Sequence, residues 1–175
     1  MFRHCLTPLP ERGRELKPTC STTGGGAPAT AGTPEKFNTC TISWGSLGSI
    51  WGNAGKAKPI VTIYIHLTRY TNEFLRSNEL FTVSFFPEEH RKDLAILGKL
   101  SGRDCDKVAK TSLTPEFTDG TVTFKEATTV LVCRRLYHAP MLKENIDPEI
   151  VSEIYPDRDA HDIFIGEIMK IIDRK

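Results

Sequence analysis

Arg69-Tyr70-Thr71 lies between an apolar, β-branched run and a short segment, Asn72 to Ser77, that reads as a helix with Thr71 at its N-cap. A helix start offers unpaired backbone N–H groups and partial positive charge, so a neighbouring guanidinium and hydroxyl make a seat for a phosphate. The same residues also read as an ordinary cap beside a solvated arginine. A second stretch, Ser101 to Lys107, places Arg103 and Lys107 among Asp104 and Asp106 in a flexible loop after a helix. Its two cations can reach an anion while the carboxylates steady them, or the loop can neutralise itself in water. If both stretches converge in space, the anion reading gains.

Asn38, Thr39, Thr41 and Ser43 present polar groups along one strand. Such a strand can hydrogen-bond the heteroatom edge of a flat ring while apolar neighbours cover the ring face; an exposed Thr-rich strand has the same pattern. His161 precedes Ile163-Phe164-Ile165-Gly166-Glu167, where a glycine inside a strand predicts a bulge or a close backbone approach. A histidine at a strand mouth can meet the polar groups of a nicotinamide cofactor or shuttle a proton, and it can equally be a surface residue. The histidines lack metal-ligand spacing, and neither G-x-S-x-G nor a P-loop occurs. Gly24-Gly25-Gly26 reads as linker.

The elements that must position these residues are mostly strands. Phe37 to Trp44 alternates with the period of a half-buried strand, Thr39, Thr41 and Ser43 on one face and Cys40, Ile42 and Trp44 on the other. A Gly-rich connection leads to strands over Pro59 to Leu67 and Leu80 to Phe86, the latter stopped by Pro87. Glu88 to Leu100 is the clearest helix, with Leu94, Ile96 and Leu97 inward. Asp119-Gly120 marks a turn before a strand at Thr121 to Lys125, and further strands cover Thr128 to Tyr137 and Asp162 to Ile172. Strands that follow one another without crossover helices predict a mainly β, antiparallel sheet or barrel. Residues 1–32, crowded with Pro, Gly, Thr and Ser, are expected to be disordered or divergent, leaving 33–175 as one folded domain.

Composition narrows the partners. The chain of 175 residues suits one domain, and 23 Lys and Arg against 22 Asp and Glu give no overall attraction to nucleic acid. Cys5, Cys20, Cys40, Cys105 and Cys133 are scattered and odd in number, which disfavours a disulfide framework or a zinc site and predicts a reducing, cytoplasmic setting. No apolar run reaches the roughly 20 residues that span a bilayer, so no membrane association is expected.

Five ordered stretches together resemble the flavin reductase-like, FMN-binding split-barrel family, in its flavoredoxin-type branch. They are Phe37 to Gly45, Arg69-Tyr70-Thr71 with Glu73-Phe74, Phe81 to Pro87, Ser101 to Lys107, and His161 with Gly166-Glu167-Ile168. The resemblance implies a Greek-key split β-barrel with short flanking helices and a homodimer. It implies an isoalloxazine lined by Asn38, Thr39, Cys40, Thr41 and Ser43, an FMN phosphate held by Arg69 and Thr71 with help from Lys107, and His161 facing a nicotinamide. The activity implied is electron transfer from NAD(P)H to flavin; a flavoredoxin-like carrier or a non-catalytic flavin binder shares most of these residues. The chain departs from the family pattern at His66-Leu67-Thr68, where Arg-Pro-Ser is common, at Cys40, where Met is common, and upstream, where an apolar first strand is expected.

Overall fold

The computed structural model describes residues 26–52 and 56–174. Among them the strands are β1 (Ala27–Gly32), β2 (Phe37–Ile42), β3 (Gly45–Ile50), β4 (Lys58–His66), β5 (Leu80–Phe85), β6 (Pro115–Thr118), β7 (Thr121–Phe124), β8 (Thr129–Pro140) and β9 (His161–Asp173). The α-helices are α1 (Tyr70–Ser77), α2 (Arg91–Lys99) and α3 (Pro148–Ile154). One antiparallel sheet runs in the order β2-β1-β5-β8-β9-β4-β3, and β6 pairs with β7 as a separate hairpin.

The sheet rolls up because its inward residues need one another. Cys40 and Ile42 from β2, at one edge, share a core with Val61, Ile63 and Ile65 from β4, near the other edge. Ala29, Phe81, Val83, Leu131, Cys133 and Phe164 fill the space between, and Phe74 and Leu75 of α1 join them. Each fully buried Phe here contributes roughly 1.5–3 kcal/mol by leaving water. Register shifts between Val132 and Cys133 and between Arg135 and Tyr137 bend the long β8–β9 ladder. Gly166 sits where a Cβ would overlap the ring of Phe81, the close approach that a glycine in this strand predicts.

Several expectations are corrected. Residues 27–32 form a fully buried interior strand rather than a loose segment, while the rest of the expected N-terminal tail lies outside the described residues. The strand carries no aliphatic signal because its space is narrow: Ala29, Thr30 and Ala31 are 0 % exposed, and bulkier side chains would not fit. Pro28 is tolerated because β5 pairs only with Ala29 to Ala31. Gly45 to Ile50, read as connection, is an edge strand whose six residues are all exposed, so it lacks the buried face that periodicity detects.

The remaining differences are local. Glu88 to His90 is a 3₁₀ turn and α2 begins only at Arg91. Leu94 and Leu97 are buried, Ile96 half-buried. Thr71 does not cap α1; the helix starts at Tyr70 with Arg69 at the N-cap position and no side-chain cap bond. Helix α3 was not anticipated, although Asp147-Pro148-Glu149 carries its start signal: Asp147 Oδ1 accepts from Glu149 N at 2.9 Å. Asp119 and Gly120 form the expected hairpin turn, with φ of 50° and 77°.

Candidate functional site

The end of β2, the end of β4, the start of α1 and the end of α2 meet around one cleft of about 420 Å³. Residues 40–44, 64–66, 68–71 and 99–101 line it with Lys107, Arg158 and His161. Pairing sets this up. Gly45 lies opposite Ile63, which carries the chain from β2 past the end of β4, and His66 lies opposite His161, which brings the mouth of β9 to the same place.

Of the residues singled out by sequence, Cys40, Thr41, Ser43, Arg69, Thr71, Lys107 and His161 line the cleft. Asn38 and Thr39 do not; they stand behind it. Thr39 is 0 % exposed because helix α2 covers the Thr face of β2, and its hydroxyl accepts from Thr30 Oγ1 at 2.8 Å. Asn38 Oδ1 accepts from Thr39 N at 2.7 Å and from the Thr71 hydroxyl at 3.3 Å. Gly102 presses against the Asn38 amide so closely that a Cβ there would overlap it. Asn38 therefore joins three pieces of the site: β2, the first turn of α1, and the loop after α2.

The two basic stretches do converge. Arg103 donates through Nη1 to Thr68 O at 3.0 Å, pairs with Glu73 and stacks 4.7 Å above the Tyr70 ring. Arg69 donates to Gly98 O, and Lys107 Nζ donates to Leu97 O at 3.1 Å and Leu100 O at 3.2 Å, tying the loop to the C-terminal carbonyls of α2. The acidic residues do not steady these cations. Asp106 Oδ1 instead accepts from Val108 N and Ala109 N, both at 3.1 Å, capping the following turn.

Among the described residues the lining includes Arg69, Lys99, Lys107 and Arg158 and no carboxylate. Burial lowers the Lys107 ammonium's pKa, with Arg69 adding to the effect, and burial raises that of the Cys40 thiol despite a bond from Thr71 and the nearby cations. His161 is pushed down to about 4, first by burial and then by His66, Arg158 and Arg69. It is therefore neutral near pH 7. Its Nδ1 shares a 2.8 Å hydrogen bond with the Tyr155 hydroxyl, and its ring lies 4.7 Å from that of Trp44.

His66 supplies a further polar group. The Thr68 backbone N–H, which can only donate, reaches His66 Nδ1 at 3.2 Å, so in the neutral ring the proton sits on Nε2. That Nε2 is buried and has no partner among the described residues. His66, Trp44, Tyr64 and Arg158 line the cleft but were missed by sequence reasoning, whereas Ser101 opens the second predicted stretch. His66 and Trp44 were legible as strand-end residues beside predicted site residues; Arg158, in a loop, had no local signal.

Residues 22–175 match the sequence pattern of the flavin reductase like domain. The chain belongs to that family. Among solved structures, it is similar to an FMN-binding protein from Thermus thermophilus determined with bound 1-cyclohex-2-enone, at 19 % identity and a TM-score of 0.65 over 99 % of this chain and 80 % of that one. Flavoredoxin from Methanosarcina acetivorans is similar at 21 % identity and 0.64, over 86 % and 69 % of the two chains. The styrene monooxygenase flavin reductase from Pseudomonas putida S12 is similar at 18 % and 0.59, over 86 % and 80 %. These likenesses establish the mainly β, split-barrel flavin reductase-like fold. No curated protein matches the chain in sequence comparison.

The cleft of this flavin reductase-like domain fits a flavin mononucleotide on its own terms. Its cations with no carboxylate suit a phosphate, the start of α1 lies beside Arg69 and Thr71, and the orphaned His66 N–H calls for an acceptor that the described residues do not supply. Residues 40–44, the end of β2 and the link into β3, form a further wall of the cleft.

Proposed function

We propose that the protein is an FMN-binding flavin reductase that takes electrons from NAD(P)H. The observation that supports this most is the pairing, in one cleft whose described lining holds no carboxylate, of a cationic helix start with a neutral histidine held by a buried tyrosine. FMN, when bound, supplies the hydride-accepting and electron-donating chemistry; the protein supplies position and electrostatics.

In this reading Arg69 and Thr71 hold the phosphate, with Lys107 adding positive potential from behind the end of α2. Thr41, Ser43 and the backbone beside Cys40 border the isoalloxazine, and His66 Nε2–H donates to its polar edge or to the phosphate. Asn38 and Thr39 act indirectly, by fixing Thr71 and β2. His161, neutral and oriented by Tyr155, borders the nicotinamide. Trp44, 44 % exposed, closes one side of the cleft and also lines an adjoining apolar hollow of about 300 Å³ with Leu47, Ile63 and Phe85. That hollow and the exposed edge of β3 support a homodimer through this face. Free thiols at Cys40, Cys105 and Cys133 suit the cytoplasm.

The test is spectroscopic. Purified protein, as isolated or reconstituted, is expected to show flavin absorbance that bleaches anaerobically with NADPH or NADH. A protein that cannot be reconstituted with FMN would overturn the reading; one that binds FMN without bleaching would point to a carrier or a passive binder.

A further inference from the structure

Arg158 lies in the loop between α3 and β9 and lines the cleft, yet it is held by different contacts from the cations around α1. Its Nε donates to Ile154 O, at the end of α3, at 2.8 Å, and its guanidinium carbon lies 5.9 Å from the centre of the Tyr155 ring. Tyr155 is buried, and its hydroxyl is bonded to His161 Nδ1. One buried tyrosine thus seats both the arginine and the histidine.

The anchoring leaves the business end of Arg158 available. Among the described residues, neither Nη1 nor Nη2 donates a hydrogen bond, and no ion pair joins Arg158 to a carboxylate, its neighbours Asp157 and Asp159 included. Arg69, Arg103 and Lys107 by contrast all donate to backbone carbonyls around α1 and α2. A guanidinium fixed through Nε presents its two terminal nitrogens as a fork matched to a planar or tetrahedral oxyanion. Among the described residues the cleft lining offers that fork no acidic competitor.

We propose that Arg158 is a second anion receptor of this cleft, one that takes the phosphate or carboxylate oxygens of the electron donor or acceptor entering beside FMN. The inference rests on the flavin reading above and extends it: Arg69 and Thr71 serve the flavin, Arg158 the second ligand. The oxyanion has two sources, a nicotinamide dinucleotide or an organic carboxylate, and Arg158 recognises the chemistry they share.

The experiment compares FMN-loaded wild type with Arg158→Ala and Arg158→Lys. Three quantities are read: FMN affinity by flavin fluorescence, KM and kcat for NADPH and for NADH, and inhibition by benzoate. For Arg158→Ala we expect FMN affinity within about twofold of wild type and a roughly tenfold loss in the second-ligand term, a factor that an arginine–oxyanion contact typically supplies. Arg158→Lys should recover part of it. A KM rise for both dinucleotides assigns the pyrophosphate, a rise for NADPH alone assigns its additional phosphate, and weakened benzoate inhibition alone assigns a carboxylate. The proposal is overturned if FMN affinity falls as far as in Arg69→Ala, or if none of the three second-ligand readouts moves. Should the wild type bind no FMN, the flavin reading fails, and calorimetry of NADP⁺ and benzoate with wild type and Arg158→Ala then decides the Arg158 site by itself.

Discussion

The Thr71 hydroxyl donates to Asn38 Oδ1 across 3.3 Å, joining the first turn of α1 to strand β2. The same oxygen accepts from Thr39 N, and Gly102 closes over the amide. Asn38 is thus a buried hub that never reaches the cleft. Asn38→Ala should leave the Thr71 hydroxyl without its acceptor, at a cost of about 1–3 kcal/mol. Urea unfolding should register that loss, and FMN titration should show weaker binding although no lining residue has changed. Unaltered FMN affinity would mean that Thr71 keeps its place without Asn38.

Arg69 and Lys107 should separate under the same two measurements. Arg69 is exposed and gives one bond to Gly98 O, whereas Lys107 is 5 % exposed and satisfies two α2 carbonyls. Arg69→Ala should weaken FMN binding about tenfold with little change in melting temperature. Lys107→Ala should weaken it too, but with a clear fall in melting temperature, because Leu97 O and Leu100 O lose their donor. Unchanged affinity in both variants would remove the phosphate seat from this corner.

How far the sequence carried depended on whether a residue's neighbours are local. Strands β2, β4, β5 and β7 to β9 and the Asp119-Gly120 turn were legible because alternation and turn chemistry act over a few residues, whereas the short β6 was not read as a strand. Strand β1 was not: Ala29, Thr30 and Ala31 belong in a sheet interior only because β2 and β5 flank them, and that is long-range information. The site followed the same division. Arg69 and Thr71 were found from their position at a helix start, and Thr41 from the polar face of its strand. Thr39 looked like a cleft residue by alternation and proved buried, because α2 covers its face through contacts such as Thr41 Oγ1 to Leu94 O. Arg158 reaches the cleft only because α3 and Tyr155 hold it there.

Asp162 offers a test of how the site is braced from behind. Its side chain is fully buried, and Oδ2 accepts from Asn72 Nδ2 at 3.0 Å, Arg76 Nη2 at 2.6 Å and His138 Nε2 at 2.9 Å, linking α1, β8 and β9. Burial opposes its ionisation, yet bonds from His138, Arg76 and Asn72 win and hold the carboxyl below its ordinary range. Removing one partner of such a buried charge cluster typically costs 3–5 kcal/mol, and the partial exposure of Arg76 and His138 reduces this to about 2–3. Asp162→Ala should therefore unfold at markedly lower urea concentration, while Asp162→Asn should retain part of the loss. Equal stability of wild type and Asp162→Ala would show that the cluster contributes nothing net.

His161 gives a pH dependence whose sign is fixed by its environment. In the unfolded chain the ring titrates near 6.5, but in the folded protein its pKa lies at about 4, so between these values the unfolded state binds the extra proton. Stability is then fully present above pH 6.5 and falls as the pH drops toward 4, below which this contribution levels off. Asp162, whose carboxyl is also depressed, adds a separate loss at lower pH, beginning as the pH falls below its ordinary 3.8. Melting temperatures measured from pH 7.5 to 4.5 should therefore decline in wild type and decline less in His161→Asn, which keeps a polar group for Tyr155 but carries no titrating ring. If both proteins lost stability equally over that window, the proton would be going elsewhere, and the neutral, Tyr155-oriented histidine on which the nicotinamide assignment depends would have to be abandoned.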